Sequence, residues 1–306
     1  MPASQLNRLE AAIKIGEKLD QQVTEESVTS WMEGNAGNFT FKGNGVFRIP
    51  TIYGSGLGDY RKDLGYPIGS AMMEWNDYTL AYDRGRSYQL DAMDVDESNF
   101  IMNASQFTST LNREYYIPEL DATRFARLAG IATGASNSES GYTPAAATIY
   151  TKVVTAMYNL MDKGYNELVC HMSNSALVQL ALSSETDKYL RTDDFQAGRL
   201  YTKVKWIDEM PIIPTPQNRF YTAIDLLDGI TAGEESGGYK KAGSAKDINF
   251  MIVGKKVPCA IKKHQVQKII PPIDNQNADA WKINARLYHD LLVLNKKENG
   301  VYMNTK

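Results

Sequence analysis

The chain is poor in the side chains that most often carry chemistry. Its 306 residues include three histidines and two cysteines. Cys170 and Cys259 lie far apart and form no C-x-x-C pair. That excludes a zinc knuckle and a disulfide framework, and leaves two buried reduced thiols as the expectation. His171, His264 and His289 fall in no H-E-x-x-H or His-x-His spacing, so they make no zinc site. His171 follows Cys170 and His289 precedes Asp290, but neighbours on a strand point to opposite faces. No G-x-S-x-G elbow offers a serine nucleophile. The glycine-rich pieces fail as phosphate loops. "GSGLG" (54–58) opens no helix, and "GYKKAGSA" lacks the Lys-Ser/Thr of a Walker loop.

Other absences narrow the class further. Lys and Arg number 33 against 36 Asp and Glu, a net charge of -3, with no basic stripe of the kind that displaces counterions from nucleic acid. No segment reaches the ~18 apolar residues of a membrane span. The N-terminus, "MPASQLNRLEAAIKIGEKLD", has neither an apolar core nor a small-residue cleavage site, so it reads as no signal peptide. A cytoplasmic chain, or one that leaves by another route, is expected. No cofactor and no metal are implied, and no enzyme class is supported.

What is present is the material of a sizeable core. Hydrophobic residues are 43% and charged residues 23%, ordinary for a globular chain, and the length suits about two domains at ~100–200 residues each. Tyrosine is abundant, 18 against 9 phenylalanines, as on surfaces buried against a partner. Leu6, Leu9, Ile13, Leu19 and Val23 repeat at helical spacing over 4–28, a narrow stripe interrupted by Gly16. Residues 37–69 carry eight glycines among short β-prone runs, and 73–90 reads as a long return strand. Together these suggest an extended β-arm.

Phe100, Ala104, Phe107, Leu111 and Tyr115, then Ala122, Phe125 and Ala129, form one helical face over 98–131. Such a helix would span roughly 50 Å at ~1.5 Å per residue, with a kink or break at Pro118. Residues 146–163 form a helix closed by Gly164, "NELVCHM" a buried strand, and Ser173 or Ser175 the cap of "ALVQLALS". "LYTKVKWI" and "MPIIPTP" read as strands, "GEESGGYKKAGSAKD" as a polar, mobile loop. "INFMIVG", "VPCAIKKHQVQKIIPP" and "WKINARLYHDLLVLN" return to β.

The stretch "LAYDRGRSYQLDAMDVDES" (80–98) is the most unusual. Arg84 and Arg86 occupy one face of a strand, and Asp91, Asp94, Asp96 and Glu97 crowd the following residues. Asp94, Asp96 and Ser98 mimic the start of a calcium loop. Asn99 stands where that loop needs glycine, however, and Ser105 where it needs a bidentate glutamate. The carboxylates suit the start of the following helix instead. The arginines suit carboxylate partners, within the chain or across chains, because a planar guanidinium pairs two oxygens at once.

"YDRGRSYQLDAMDVDES", "REYYIPELDATRFARLA" and "IIPPIDNQNADAWKINARLYHDLLVLNKKENGVY" resemble the major capsid proteins of tailed bacteriophages, in the family's order between residues 82 and 302. The resemblance implies an α+β fold with an N-terminal arm (1–37), an extended β-hairpin loop (38–90) and a peripheral domain (91–144 and 248–306) whose spine helix covers 97–131. An axial domain occupies 145–247. It implies a non-enzymatic subunit that closes into hexamers and pentamers of an icosahedral head around double-stranded DNA, assembled in the host bacterial cytoplasm and resident in the virion. Encapsulin shells share the architecture and are the alternative. Interface candidates are Arg61, Lys62, Arg84, Arg86, Asp91, Asp94, Asp96 and Glu97. For the arginines and the acidic run the alternative is an intrachain salt-bridge network. Some relatives carry about a hundred residues of scaffold before the loop; here about 37 precede it. With Met1 in place, that implies a separate scaffolding protein, beside a portal and possibly decoration proteins. Some relatives also join subunits through a Lys–Asn bond, for which Lys62 and Asn295 or Asn299 are available.

Overall fold

A computed structural model describes residues 26–36, 46–63, 65–93, 101–183, 190–197 and 200–306. The expected N-terminal helical stripe and Asp94, Asp96 and Glu97 lie outside these residues.

Residues 46–79 form a hairpin. Strand β1 (Val46–Gly54) pairs antiparallel with β2 (Ala71–Thr79) in unbroken register from Val46↔Thr79 to Gly54↔Ala71. The long return strand expected over 73–90 is two strands. After β2 the chain turns Leu80 into a small core with Ile49, Cys259, Ile261 and Leu292. The Ala81 amide donates to Asp290 Oδ2 at 3.0 Å, and β3 (Tyr82–Asp91) then starts on a different neighbour. A strand that changes partners must break its ladder, and burying Leu80 fixes where.

The long helix is also in two parts. Helix α1 (Ile101–Leu111) passes through a wide π turn at Asn112–Tyr116 into α2 (Ile117–Gly134). The Ile117 amide donates to Asn112 O, five residues back. The sequence places the disturbance at Pro118; the structure places it one turn earlier. Pro118 lacks an N–H, and its ring would crowd the Glu114 carbonyl four residues back. The preceding turn therefore widens, and Pro118 sits in the first turn of α2, where it is tolerated.

A seven-stranded sheet forms the centre, in the order β4 (Ser138–Glu139), β14 (Val301–Thr305), β11 (Ile248–Gly254), β5 (Leu168–Ser173), β8 (Met210–Thr215), β7 (Leu200–Ile207), β6 (Leu190–Ala197). Its middle strands are buried on both faces, which is why "LVCHMS" and "INFMIVG" read as continuous rather than alternating apolar runs. The two faces serve two cores. Val169, Met251 and Val253 meet Phe125, Leu128, Ala129 and Ala132 of α2. Leu168, Cys170, Met172, Phe250 and Ile252 meet α3 (Ile149–Asp162) and α4 (Asn174–Ala181). Ser173 caps α4, its Oγ accepting from the Ala176 amide at 3.3 Å, and Gly164 at φ +90° closes α3.

A three-stranded sheet, β12 (Pro258–Ile270), β13 (Ala280–Val293) and β3, joins the end of the chain to the strand that leaves the arm. β9 (Ile224–Leu226) and β10 (Tyr239–Lys241) pair across an intervening loop. β11, which the sequence groups with the returning C-terminal segment, hydrogen-bonds to β5 of the region before it.

Candidate assembly surface

Residues directly opposite in an antiparallel pair share a face. In the arm, Ile52 and Met73 stand on one face with Trp75, above an Arg48–Asp77 ion pair of 2.5 Å at the root. Ile52 is 65% exposed, Met73 54% and Trp75 56%. The opposite face carries Ile49, Thr51, Tyr53, Met72, Glu74 and Asn76. It is tied to its own chain by Lys296, whose Nζ lies 4.4 Å from the Tyr53 ring centroid and donates to the Ile52 carbonyl. Beyond the strands, Leu57 and Ile68 are fully exposed. Tyr60 and Tyr66 meet edge to face at 5.0 Å. A contiguous apolar face of this kind is expected to be covered by a partner.

Arg61 and Lys62 sit exposed at the arm tip, Arg61 paired with Asp63 at 3.2 Å. Arg84 and Arg86 face their own chain. Arg84 Nε donates to Glu119 Oε1 at 2.6 Å, and its Nη2 donates to the carbonyls of Leu227 (2.8 Å) and Gly238 (3.1 Å). Arg86 donates to the Ser236 carbonyl at 2.6 Å and the Glu235 carbonyl at 2.9 Å. Among the described residues Arg84 thus takes Glu119 as its carboxylate, not Asp91. Asp91 is exposed and accepts from the Met93 amide at 2.9 Å. The segment expected to be a mobile loop, 233–247, begins in the stretch these arginines hold: Glu235, Ser236 and Gly238 accept from them. Both arginines and Glu119 line a groove of about 520 Å³ with Tyr115, Leu227 and Ile230.

The sequence reading passes over a buried charge network. Asp121, fully buried on α2, accepts from Ser27 Oγ and Thr29 Oγ1, both at 2.6 Å, and from Arg219 Nη1 at 2.8 Å. Arg124, also buried, donates to Thr29 Oγ1 (2.9 Å) and Glu33 Oε1 (2.8 Å). Lys262 of β12 lies 2.8 Å from the same Glu33 oxygen. Burial alone would raise the Glu33 carboxyl, but Arg124 and Lys262 outweigh it and hold it low; burial pushes the Lys262 amine down. The network pins residues 27–33 to α2, with Trp31 and Met32 inside the core. Its signal was present: Asp121 and Arg124 fall on the same helical face as Leu120, Phe125 and Leu128.

His171 and His289 are buried, and burial drives both imidazoles down to about 3, so both stay neutral at neutral pH. His171 Nε2 accepts from Trp31 Nε1 at 3.1 Å. Both cysteines are buried and free; burial pushes the Cys259 thiol up to about 12 and raises that of Cys170 as well, so both stay protonated at neutral pH. Among the described residues, no group of three or more His, Cys, Asp or Glu is placed to hold a metal ion. None of their helices is long and apolar enough to cross a membrane.

No protein-family model matches the chain, and no curated protein matches it. Solved structures do. The mature capsid of bacteriophage PhiM1 aligns at TM-score 0.58 and 10% identity, over 86% of this chain and 82% of that one. The capsid of Cyanophage P-SCSP1u aligns at TM-score 0.54 and 10% identity, over 87% and 84%. A virus-like particle from Pyrococcus furiosus aligns at TM-score 0.53 and 7% identity, over 96% and 99%. At such identities the backbone is what is shared, over most of both chains. The chain has the major capsid fold of tailed phages.

Proposed function

We propose that this protein is the major capsid protein of a tailed phage, a structural subunit without turnover that assembles with copies of itself into hexamers and pentamers of an icosahedral head. The observation that carries this is the arm: a two-stranded ribbon is marginal alone in water, and Ile52, Met73 and Trp75 stand exposed on one face of it. A second subunit supplies the missing surface. Residues 38–90 are then the extended loop, 91–144 with 248–306 the peripheral domain and 145–247 the axial domain. The pairing of β3 with β13 supports joining the opening and closing segments, while the β11–β5 pairing makes the two domains share a sheet. Arg61 and Lys62 at the tip, and Asp91, are interface candidates. The head encloses double-stranded DNA without sequence-specific contact, consistent with a net charge of -3. A separate scaffolding protein, a portal and decoration proteins are its expected partners, the virion its destination, and the host cytoplasm its place of assembly.

The purified protein, alone or with a scaffolding protein, examined by mass photometry and electron microscopy, should give capsomers or closed shells. A species that stays monomeric at high concentration overturns the reading. Shells that enclose a protein cargo in place of DNA would identify the encapsulin alternative.

A further inference from the structure

The loop between β9 and β10, "LDGITAGEESGG" (227–238), is rich in glycine and lies at the surface, yet it is tied at many points. Asp228 Oδ1 accepts from the amides of Ile230 and Thr231, both at 2.8 Å. The Gly237 amide donates to Glu234 O at 2.9 Å. Four of its carbonyls, those of Leu227, Glu235, Ser236 and Gly238, accept from Arg84 and Arg86.

The fit around Arg86 is specific. A Cβ at Gly237 would come within 2.6 Å of Arg86 Nη1, and one at Gly229 within 3.6 Å; both glycines have positive φ, +66° and +76°. At Gly237 the guanidinium therefore occupies the space a side chain would need, while at Gly229 it is the positive φ that favours glycine. Ordering twelve residues with four glycines costs conformational entropy, and the arginine bonds offset it. The surface the loop then presents is apolar and acidic. Ile230 is 86% exposed, Asp228 and Glu235 are exposed carboxylates, and Glu234 pairs with Lys240 of β10 at 3.9 Å.

We infer that Arg84 and Arg86 are positioning residues for assembly: they clamp the 227–238 loop in shape, and the clamped loop meets a second copy of this chain. The inference rests on the assembly reading above. Charge complementarity favours a second copy, since the arm tip presents Lys62 exposed beside the Arg61–Asp63 pair, opposite in sign to the exposed Asp228 and Glu235. A preformed loop binds without paying its ordering entropy at the moment of contact. The arginines thereby act on assembly through the loop rather than by touching the neighbour.

Amide hydrogen exchange on the unassembled subunit, combined with the concentration dependence of assembly, tests this. R86A should speed exchange across 229–237 by about ten-fold or more and raise the assembly midpoint, with thermal unfolding of the subunit nearly unchanged. R86K, which keeps one donor, should fall between R86A and the unmodified protein. G237A keeps both arginines but fills the cradle, and should reproduce R86A. If R86A blocks assembly while loop exchange stays slow, the arginine touches the neighbour directly and the inference fails. It fails equally if the loop loosens and assembly is unaffected. Should the unmodified protein never assemble, the assembly reading itself falls and takes the loop's role with it, while the exchange result still decides whether the clamp exists.

Discussion

The arm and the long helix are both elongated elements, and they treat their side chains in opposite ways. The β1–β2 hairpin leaves Ile52, Met73 and Trp75 in water, whereas α2 takes Asp121 and Arg124 out of it. Each looks like an error in isolation. A ribbon of two strands has no second layer, so its apolar residues wait for one from outside. The helix lies under the 27–33 segment, against the two sheets and beside Arg219, so both of its buried charges find partners of opposite charge and hydroxyls within the chain. Exposure of apolar groups and burial of charge thus separate the arm, which on the proposed function meets a neighbour, from a helix completed within its own chain.

The sharpest way to break this contrast is through Asp121. D121A leaves Arg219 and the hydroxyls of Ser27 and Thr29 without their acceptor, and should cost about 3–5 kcal/mol of subunit stability in chemical denaturation. A loss under 1 kcal/mol would mean the network is ornamental to the fold.

Acid should act on the same body. His171 and His289 resist protonation down to about 3 when folded but titrate near 6.5 when unfolded. The unfolded state therefore binds more protons below about pH 6.5. Their contribution is fully present above that pH and fades as pH falls toward about 3, by up to ~1.4 kcal/mol per pH unit for each histidine. Glu33, held low by Arg124 and Lys262, acts in the same direction below about 4.5. Equilibrium unfolding between pH 7 and 4 measures it, and a flat profile would contradict the burial.

The arm should respond least in the monomer. Ile52→Ser, Met73→Ser and Trp75→Ser together should change subunit stability by about 0.5 kcal/mol or less per site, yet abolish assembly seen by light scattering. A large early loss of stability would mean the face packs on its own chain. Limited proteolysis adds a smaller signal: cleavage within Gly54–Lys62 in free subunits, protected on assembly. Equal cutting in both states would remove the arm from the interface.

Much of the fold was legible because it follows local rules. Period-two and continuous apolar runs marked β5, β11 and β13, and Gly164 and Ser173 marked helix ends. The glycines of 37–69 announced an arm, though 37–45 lies outside the described residues. The candidate surface was less so. Lys62 and Arg61 were found at the tip, but Arg84 and Arg86 were matched with the nearest acids in sequence. The actual partner, Glu119, lies 35 residues away.

By itself the sequence determined most of the segments that are strand or helix among the described residues, and that histidine and cysteine chemistry had no motif to stand on. Backbone propensity and side-chain periodicity act over a few residues and so are written in consecutive letters. Only the tertiary structure decided that Leu80 divides the return strand, that β11 pairs with β5, and that Asp121 and Arg124 close a network with residues 27–33. It also decided that two arginines grip four carbonyls of the 227–238 loop. A carbonyl is the same acceptor on every residue, so a clamp built on the backbone leaves no trace in the letters of what it holds.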